Sequence, residues 1–251
     1  MKMKFLSIKN QTETSADLYF YGDIVSDAWG KWTDEDKCPQ DIVDALKCCE
    51  NADTLNIYIN SGGGSVWGGI AIYNILKRCN AKKIVHIDGL AASIASVIAL
   101  AADELIMPSN TFMMIHKAWT YASGNSDDLR IVADELDKIE TSIVNVYTEN
   151  AADDVSEDYI KELMAAETWL SAEDAAKLFK DITVIDGLEA VNCVSDFKFG
   201  KIPNGVTVEN PKNAKPPEGE PTPDGKITQE AMEKLKNYKN FLFVEEENNN
   251  E

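Results

Sequence analysis

Residues 55–76 and 84–102 repeat one unit, an apolar strand, a glycine-bearing turn and an apolar helix. In the first copy Leu55 to Ile59 reads as the strand, Ser61 to Ser65 as the glycine loop, and Ile70 to Leu76 as the apolar face of the helix. In the second, Ile84 to Ile87 is the strand, Gly89 the turn, and Ala91 to Ala102 a helix of small and apolar residues. A helix with so little polar face must be almost wholly buried, and its small side chains permit close backbone approach. Alternation of this kind argues for an α/β fold with parallel strand pairing.

The flanking segments extend the pattern. Alternation from Asp17 through Leu18 and Phe20 to Gly22-Asp23 reads as a first strand and its turn, and Ile42, Val43, Ala45 and Leu46 recur at helical spacing. Leu105 to Met107 and Phe112 to Ile115 are short strands. Leu129, Val132, Leu136, Ile139, Ile143 and Val146 mark a long amphipathic helix capped near Ser126. Ser156 and Ser171 open two further helices, Ser171 with Asp174 resembling a capping box, and Ile182 to Ile185 closes the domain as a strand. At 251 residues and 44% apolar content the chain can fill one large core and still carry an appendage. Beyond about Gly200, prolines from Pro203 to Pro223 lie among Lys, Glu, Gly and Asn. The expected organisation is a domain at 1–200, a Pro-rich linker at 201–226, and a short amphipathic helix with an acidic end at 227–251.

Charge and cysteine usage exclude several classes. The net charge of -19, from 24 basic against 43 acidic side chains, repels phosphate backbones and anionic lipid, so neither nucleic acid nor membrane is an expected partner. The 5 cysteines form no CxxC pair and meet no histidine cluster, so neither a zinc site nor a disulfide framework is expected. No run of about 18 apolar residues appears, and Met1-Lys2-Met3-Lys4 leads into a polar stretch, so the expected location is cytoplasmic.

Few residues are equipped for chemistry. Ser61-Gly62-Gly63-Gly64-Ser65 joins a strand to a helix, where glycines let N–H groups turn toward an anion or oxyanion. It lacks the Gly-Lys-Ser/Thr of a P-loop and does not complete G-x-G-x-x-G, and a plain strand-to-helix turn explains it equally well. Ser93 stands in the first turn of the buried helix, where the dipole and nearby N–H groups favour a nucleophile. The alternative is that Ser93 and Ser96 are small packing residues whose hydroxyls bond the preceding turn. Of the 2 histidines, His86 lies within an apolar strand, whereas His116 ends one, a position from which a base reaches into a site.

The joint occurrence and order of these segments resemble the Clp peptidase family across roughly residues 17–188. Asn60-Ser61-Gly62-Gly63-Gly64 is similar to its Asn-Ser-Pro-Gly-Gly segment, with Gly62 in place of proline. Gly89 to Ser93 is similar to its Gly-x-Ala-Ala-Ser nucleophile motif, and Met114-Ile115-His116 to its Met-Ile-His base motif. Ser171, Ala172 and Ala175 with Ile185-Asp186 resemble the end of the same domain.

The resemblance implies the Clp/crotonase-like fold of repeated strand-strand-helix units and a serine endopeptidase with Ser93 as nucleophile and His116 as base. Glu167, at the position of the family's aspartate, would orient the imidazole, and N–H groups of Gly63 or Gly64 and of Ile94 would form an oxyanion hole. No metal or cofactor is implied. Self-assembly into heptameric rings, single or stacked, and polypeptide substrates are implied.

Ser65 to Asn74, Asp127-Asp128-Leu129 and Glu167-Thr168-Trp169-Leu170 resemble the head-maturation (prohead) proteases of tailed phages. That branch implies capsid, scaffold or portal precursors as substrates and action in the host cytoplasm or inside the procapsid. The sequence begins almost at the first strand, so the N-terminal axial segment with which housekeeping Clp peptidases meet their unfoldase is not expected, nor is dependence on an ATPase. Trp67, Trp119 and Trp169 lie near the motifs, as groove residues or as packing. Three readings compete: an acyl-CoA hydratase or isomerase of the crotonase fold, in which Ser93 and His116 are incidental; a Ser-Lys peptidase using Lys117 or another lysine; and an inactive assembly ring acting through its tail.

Overall fold

The computed structural model describes residues 14–33, 35–48, 52–187, 193–195 and 207–209. All of these fall in one compact unit, Met1–Asn213. Its central sheet is built from β1 (Ser15–Phe20), β2 (Thr54–Ser61), β3 (Lys82–Ala92), β4 (Glu104–Pro108) and β7 (Ile182–Ile185), in the order β1-β2-β3-β4-β7 and parallel throughout. Helices α1 (Pro39–Cys48), α2 (Val66–Lys77) and α3 (Ile94–Ala99) occupy the connections. This is the α/β architecture of the expected class.

Strand alternation decides which side of the sheet is core. Leu18 and Phe20, Leu55, Ile57 and Ile59, and Val85 and Ile87 are fully buried in one cluster with Ile72 and Leu76 of α2 and Val97 and Ile98 of α3. Each such side chain contributes about 1.5–3 kcal/mol through apolar area removed from water. The intervening residues line the opposite face, where Tyr19 stacks on Tyr58 and Tyr58 on His86, each at 4.8 Å between ring centroids. His86 is therefore a cross-strand packing residue, as its place inside a strand suggested.

The long strand β3 departs from expectation in a way that builds the site. Gly89 is not a turn, and the helix does not begin at Ala91. Ile59 pairs with Ile87 but Ser61 pairs with Ala91, so β3 carries extra residues around Gly89 and then resumes as a strand. Its end, Leu90 to Ala92, pairs with Phe112 to Met114 of β5 (Phe112–Ile115). These backbone bonds outweigh the helical preference of Ala91 and Ala92, and α3 is confined to Ile94–Ala99. Besides β2, the strand thus serves two further neighbours, β4 along its first half and β5 along its second.

Three further helices follow: α4 (Ser126–Asn150), α5 (Glu157–Ala165) and α6 (Ala172–Leu178). The cap of α4 is Asn125 rather than Ser126, closed by a capping box with Asp128. Only Ile143, Val144 and Tyr147 of α4 are buried, while Leu129 and Ile131 near its start are exposed. The expected caps Ser156 and Ser171 each accept an N–H, from Tyr159 and Asp174. Two features went unread in the sequence. Strand β6 (Thr168–Ser171) runs antiparallel to β5, and β8 (Cys193–Ser195) pairs with β9 (Thr207–Glu209), which lies within the stretch read as linker. The helix expected at 227–251 lies outside the described residues, among which no helix is long and apolar enough to cross a membrane.

Candidate active site

Ser93 occupies the junction where β3 ends and α3 begins, with φ 55 and ψ −129. A non-glycine residue in the left-handed φ region costs roughly 1–3 kcal/mol, which the surroundings must offset. They do so on both sides of the residue. The Ser93 N–H donates to the Met114 carbonyl at 2.9 Å, and the Ser93 carbonyl accepts from the Ser96 N–H at 3.0 Å and the Ser96 hydroxyl at 2.6 Å. The resulting bend carries the side chain out of the strand line, toward the carboxyl end of the sheet where open α/β folds place their sites.

His116 follows β5 directly, so the pairing that aligns Ala92 with Met114 also sets the two functional side chains side by side. His116 Nε2 lies 2.7 Å from Ser93 Oγ, a hydrogen bond of the length needed for proton transfer. Burial pushes the imidazole below its ordinary value, opposed by the negative charge of Glu167. A neutral imidazole at this distance from a hydroxyl has the charge state and the reach that general-base chemistry requires.

Glu167 enters through β6. The antiparallel register matches Ile115 with Thr168, so the residues just beyond, His116 and Glu167, face each other across the strand pair. Glu167 also has a positive φ of 51 and donates its N–H to the Met164 carbonyl at 3.2 Å, closing the turn that leads from α5 into β6. Its half-buried carboxylate thereby supplies the field felt by the imidazole.

The glycine loop lies against the nucleophile. A Cβ on Gly63, whose φ is 93, would fall 2.7 Å from the Ala92 carbonyl and 2.8 Å from Ser93 Cβ. One on Gly64, whose φ is 141, would fall 2.1 Å from the Ile24 carbonyl. Glycine is required at both positions for conformation and for space. The loop is stapled to the segment after β1, since the Ile24 N–H donates to the Gly63 carbonyl at 2.8 Å and the Ser65 N–H to the Ile24 carbonyl at 2.7 Å. Gly63 donates its own N–H to Ser61 Oγ at 3.1 Å, which leaves Gly64 and Ile94 as the stronger oxyanion-donor candidates.

Beside Ser93 and His116 is a small pocket walled by Val66, Ile94, Val97, Ala118, Ile143 and Tyr147. Of the tryptophans, Trp169 packs against Leu90, Ala92 and Met114, whereas Trp67 is exposed and Trp119 stands half-exposed against Tyr121. Lys117 Nζ is paired with Glu140 at 3.0 Å. That ion pair engages the ammonium with a carboxylate of α4 rather than with Ser93, and argues against a Ser-Lys arrangement at Lys117. Cys38 and Cys79 are free thiols.

Sequence reasoning missed the role of Gly63 as the surface on which Ser93 rests, and the hydroxyl pair of Ser96 and Tyr147 at 2.7 Å. Ser96 carried a partial signal, since a serine three residues after another in a helical start suggests a hydroxyl bond to the preceding turn. Nothing local in the sequence ties residue 147 to residue 96.

Residues 33–179 match the family model described as Clp protease. Similar proteins include the ATP-dependent Clp protease proteolytic subunit of Deinococcus radiodurans, 30% identical over 53% of this chain and 65% of that protein. The protein of the same name from Ligilactobacillus salivarius is 32% identical over 57% of this chain and 71% of its own length. The ATP-dependent Clp protease proteolytic subunit 1 of Chlamydia abortus is 34% identical over 52% of this chain and 67% of its own. The chain thus spans about two thirds of the length of these relatives.

Proposed function

The chain belongs to the Clp protease family of serine peptidases, and from that premise we propose that it is an endopeptidase acting through an acyl-enzyme on Ser93. The observation that carries this reading is the 2.7 Å contact between His116 Nε2 and Ser93 Oγ at a strained strand-to-helix junction. His116 takes the hydroxyl proton as Ser93 Oγ attacks the substrate carbonyl, then returns it to the leaving amine; water reverses the sequence to release the acyl group. Glu167 fixes the tautomer and stabilises the imidazolium. The N–H groups of Gly64 and Ile94 receive the oxyanion, each worth on the order of 3 kcal/mol in the transition state. A crotonase-type reading leaves the Ser93–His116 bond without a purpose.

The relatives bear "ATP-dependent" in their names. The acyl transfer itself consumes no nucleotide, and we read this chain as hydrolysing unstructured polypeptides without one. The substrates are polypeptides, with capsid, scaffold or portal precursors of a tailed phage as the specific proposal, supported by the motif resemblance around Glu167-Thr168-Trp169-Leu170. A cytoplasmic location, within the host, follows from that reading. Assembly into rings, heptameric or doubly so, is supported by the apolar Leu129 and Ile131 left open on α4. The peptidase domain is assigned to 1–200 with a linker and terminal helix after it; a truncation made after residue 209 keeps the β8–β9 pair and should retain activity.

The test is covalent labelling with a fluorophosphonate probe, read by intact mass and peptide mapping. Modification of Ser93 that is lost in both Ser93→Ala and His116→Ala supports the assignment; an unlabelled, folded and assembled protein overturns it.

A further inference from the structure

We propose that Tyr147 and Ser96 form a positioning relay that clamps the strained backbone of Ser93 in its reactive pose, an inference that rests on the serine-peptidase reading. The direction of the relay follows from counting protons. The Ser93 carbonyl only accepts, so at 2.6 Å the Ser96 hydroxyl must spend its single proton on it. Ser96 Oγ then has only lone pairs for its second partner, and the Tyr147 hydroxyl at 2.7 Å must donate to it. Both residues are buried, at 0% and 1% exposure, so both bonds are shielded from bulk solvent. Burial raises the phenol well above its ordinary value, and the proton that drives the relay stays on Tyr147 at working pH.

The relay completes a grip on both peptide planes of the nucleophile. On the amino side the Ser93 N–H is tied to Met114 of β5; on the carbonyl side the hydroxyl chain ties it to α4. With both planes held, a left-handed Ser93 cannot relax into the helix that follows, and its Oγ stays within reach of His116. The Tyr147 ring also walls the pocket beside Ser93. Ring and hydroxyl therefore have separable duties, the one as part of the core and pocket wall and the other toward Ser93.

Tyr147→Phe, Ser96→Ala and the double variant separate these duties, assayed on an unstructured peptide substrate together with the titration of the His116 ring by NMR. Tyr147→Phe keeps the wall and is expected to lower kcat about 5-fold, and Ser96→Ala about 10-fold, with KM within about 2-fold of the parent. Because the two hydroxyls act in series, the double variant should be no slower than Ser96→Ala. The His116 midpoint should move up in each variant as its contact with Ser93 Oγ loosens. Full kcat in both single variants, losses that multiply in the double, or a rise in KM with kcat intact would each overturn the relay. Should Ser96→Ala fail to fold, the isosteric Tyr147→Phe decides alone. Should the parent show no turnover, the peptidase reading fails, and the titration still judges the relay: an unmoved His116 midpoint in the variants refutes it.

Discussion

Replacing Gly63 by alanine tests how closely the loop and the nucleophile depend on each other. Two costs add. The first is conformational: φ 93 lies where an L-residue is strained by roughly 1–2 kcal/mol. The second is steric, because the new methyl would sit 2.7 Å from the Ala92 carbonyl and 2.8 Å from Ser93 Cβ, against an ordinary contact distance of about 3.5–4.0 Å. Neither neighbour can yield cheaply. Ala92 is paired with Met114, and the Ser93 N–H is bonded to the same residue. Relief requires Ser93 to shift by roughly 1 Å away from the loop, and a displacement of that size costs about 100-fold in rate. With strain and residual overpacking together, Gly63→Ala should lose about 2–4 kcal/mol of stability and about 100-fold in the rate of probe labelling at Ser93. Gly30→Ala is the control, since its methyl would meet the Val25 side chain, nearest at Cβ 3.1 Å, and no backbone atom within that distance. Equilibrium denaturation and time-resolved labelling on the two proteins give both quantities. Labelling of Gly63→Ala within about 2-fold of the parent would refute the claim that the loop braces the nucleophile.

The His116 base works only when neutral, and burial places its midpoint below the ordinary 6.5, so kcat/KM should fall with acidification only below that pH. The same depressed value makes the unfolded chain the better proton acceptor, so the stability contributed by burying a neutral His116 is present above the unfolded midpoint and lost as pH falls through the folded one; thermal unfolding across pH 5–7 or so reads it. Glu167→Gln removes the charge that opposes burial, so the pH–rate midpoint should drop further and kcat fall on the order of 100-fold or more, whereas Glu167→Asp should retain much of the activity because aspartate tolerates a positive φ. Asp36 is buried, which alone would raise its pKa, but N–H groups of Thr33, Trp32 and Asp23 donate to it and hold it lowered. Asp36→Ala should cost about 2–3 kcal/mol in urea denaturation at neutral pH, and the difference from the parent should shrink as acid protonates the carboxylate.

Strand and helix identity was legible wherever one period dominated, as in β2, β5 and β7. It failed at Gly89 to Ala92, where a glycine and alanines that suit a turn and a helix are recruited as strand by partners on both sides. Strand β6 escaped because Thr168 to Ser171 is short and gains its identity only from the facing edge of β5. At the site, Ser93 and His116 were marked by motif, and Glu167 by its place before Ser171. A glycine loop announces free N–H groups at Gly63 and Gly64, whereas the bond from the Gly63 N–H to Ser61, two residues away, is a matter of local geometry that composition does not carry. The tie between Ser96 and Tyr147 spans 51 residues and lies beyond any local reading.

The position of β5 between β3 and β6 sets a schedule for biosynthesis. During translation Ser93 leaves the ribosome first and His116 soon after, but the outer edge of the strand that holds His116 has no partner until Thr168–Ser171 has been made. Until then His116 lacks the neighbouring Glu167, and β5 is held on one side only, by its pairing with β3. Closure of the site therefore waits on Thr168–Ser171, the last of its strands to be made.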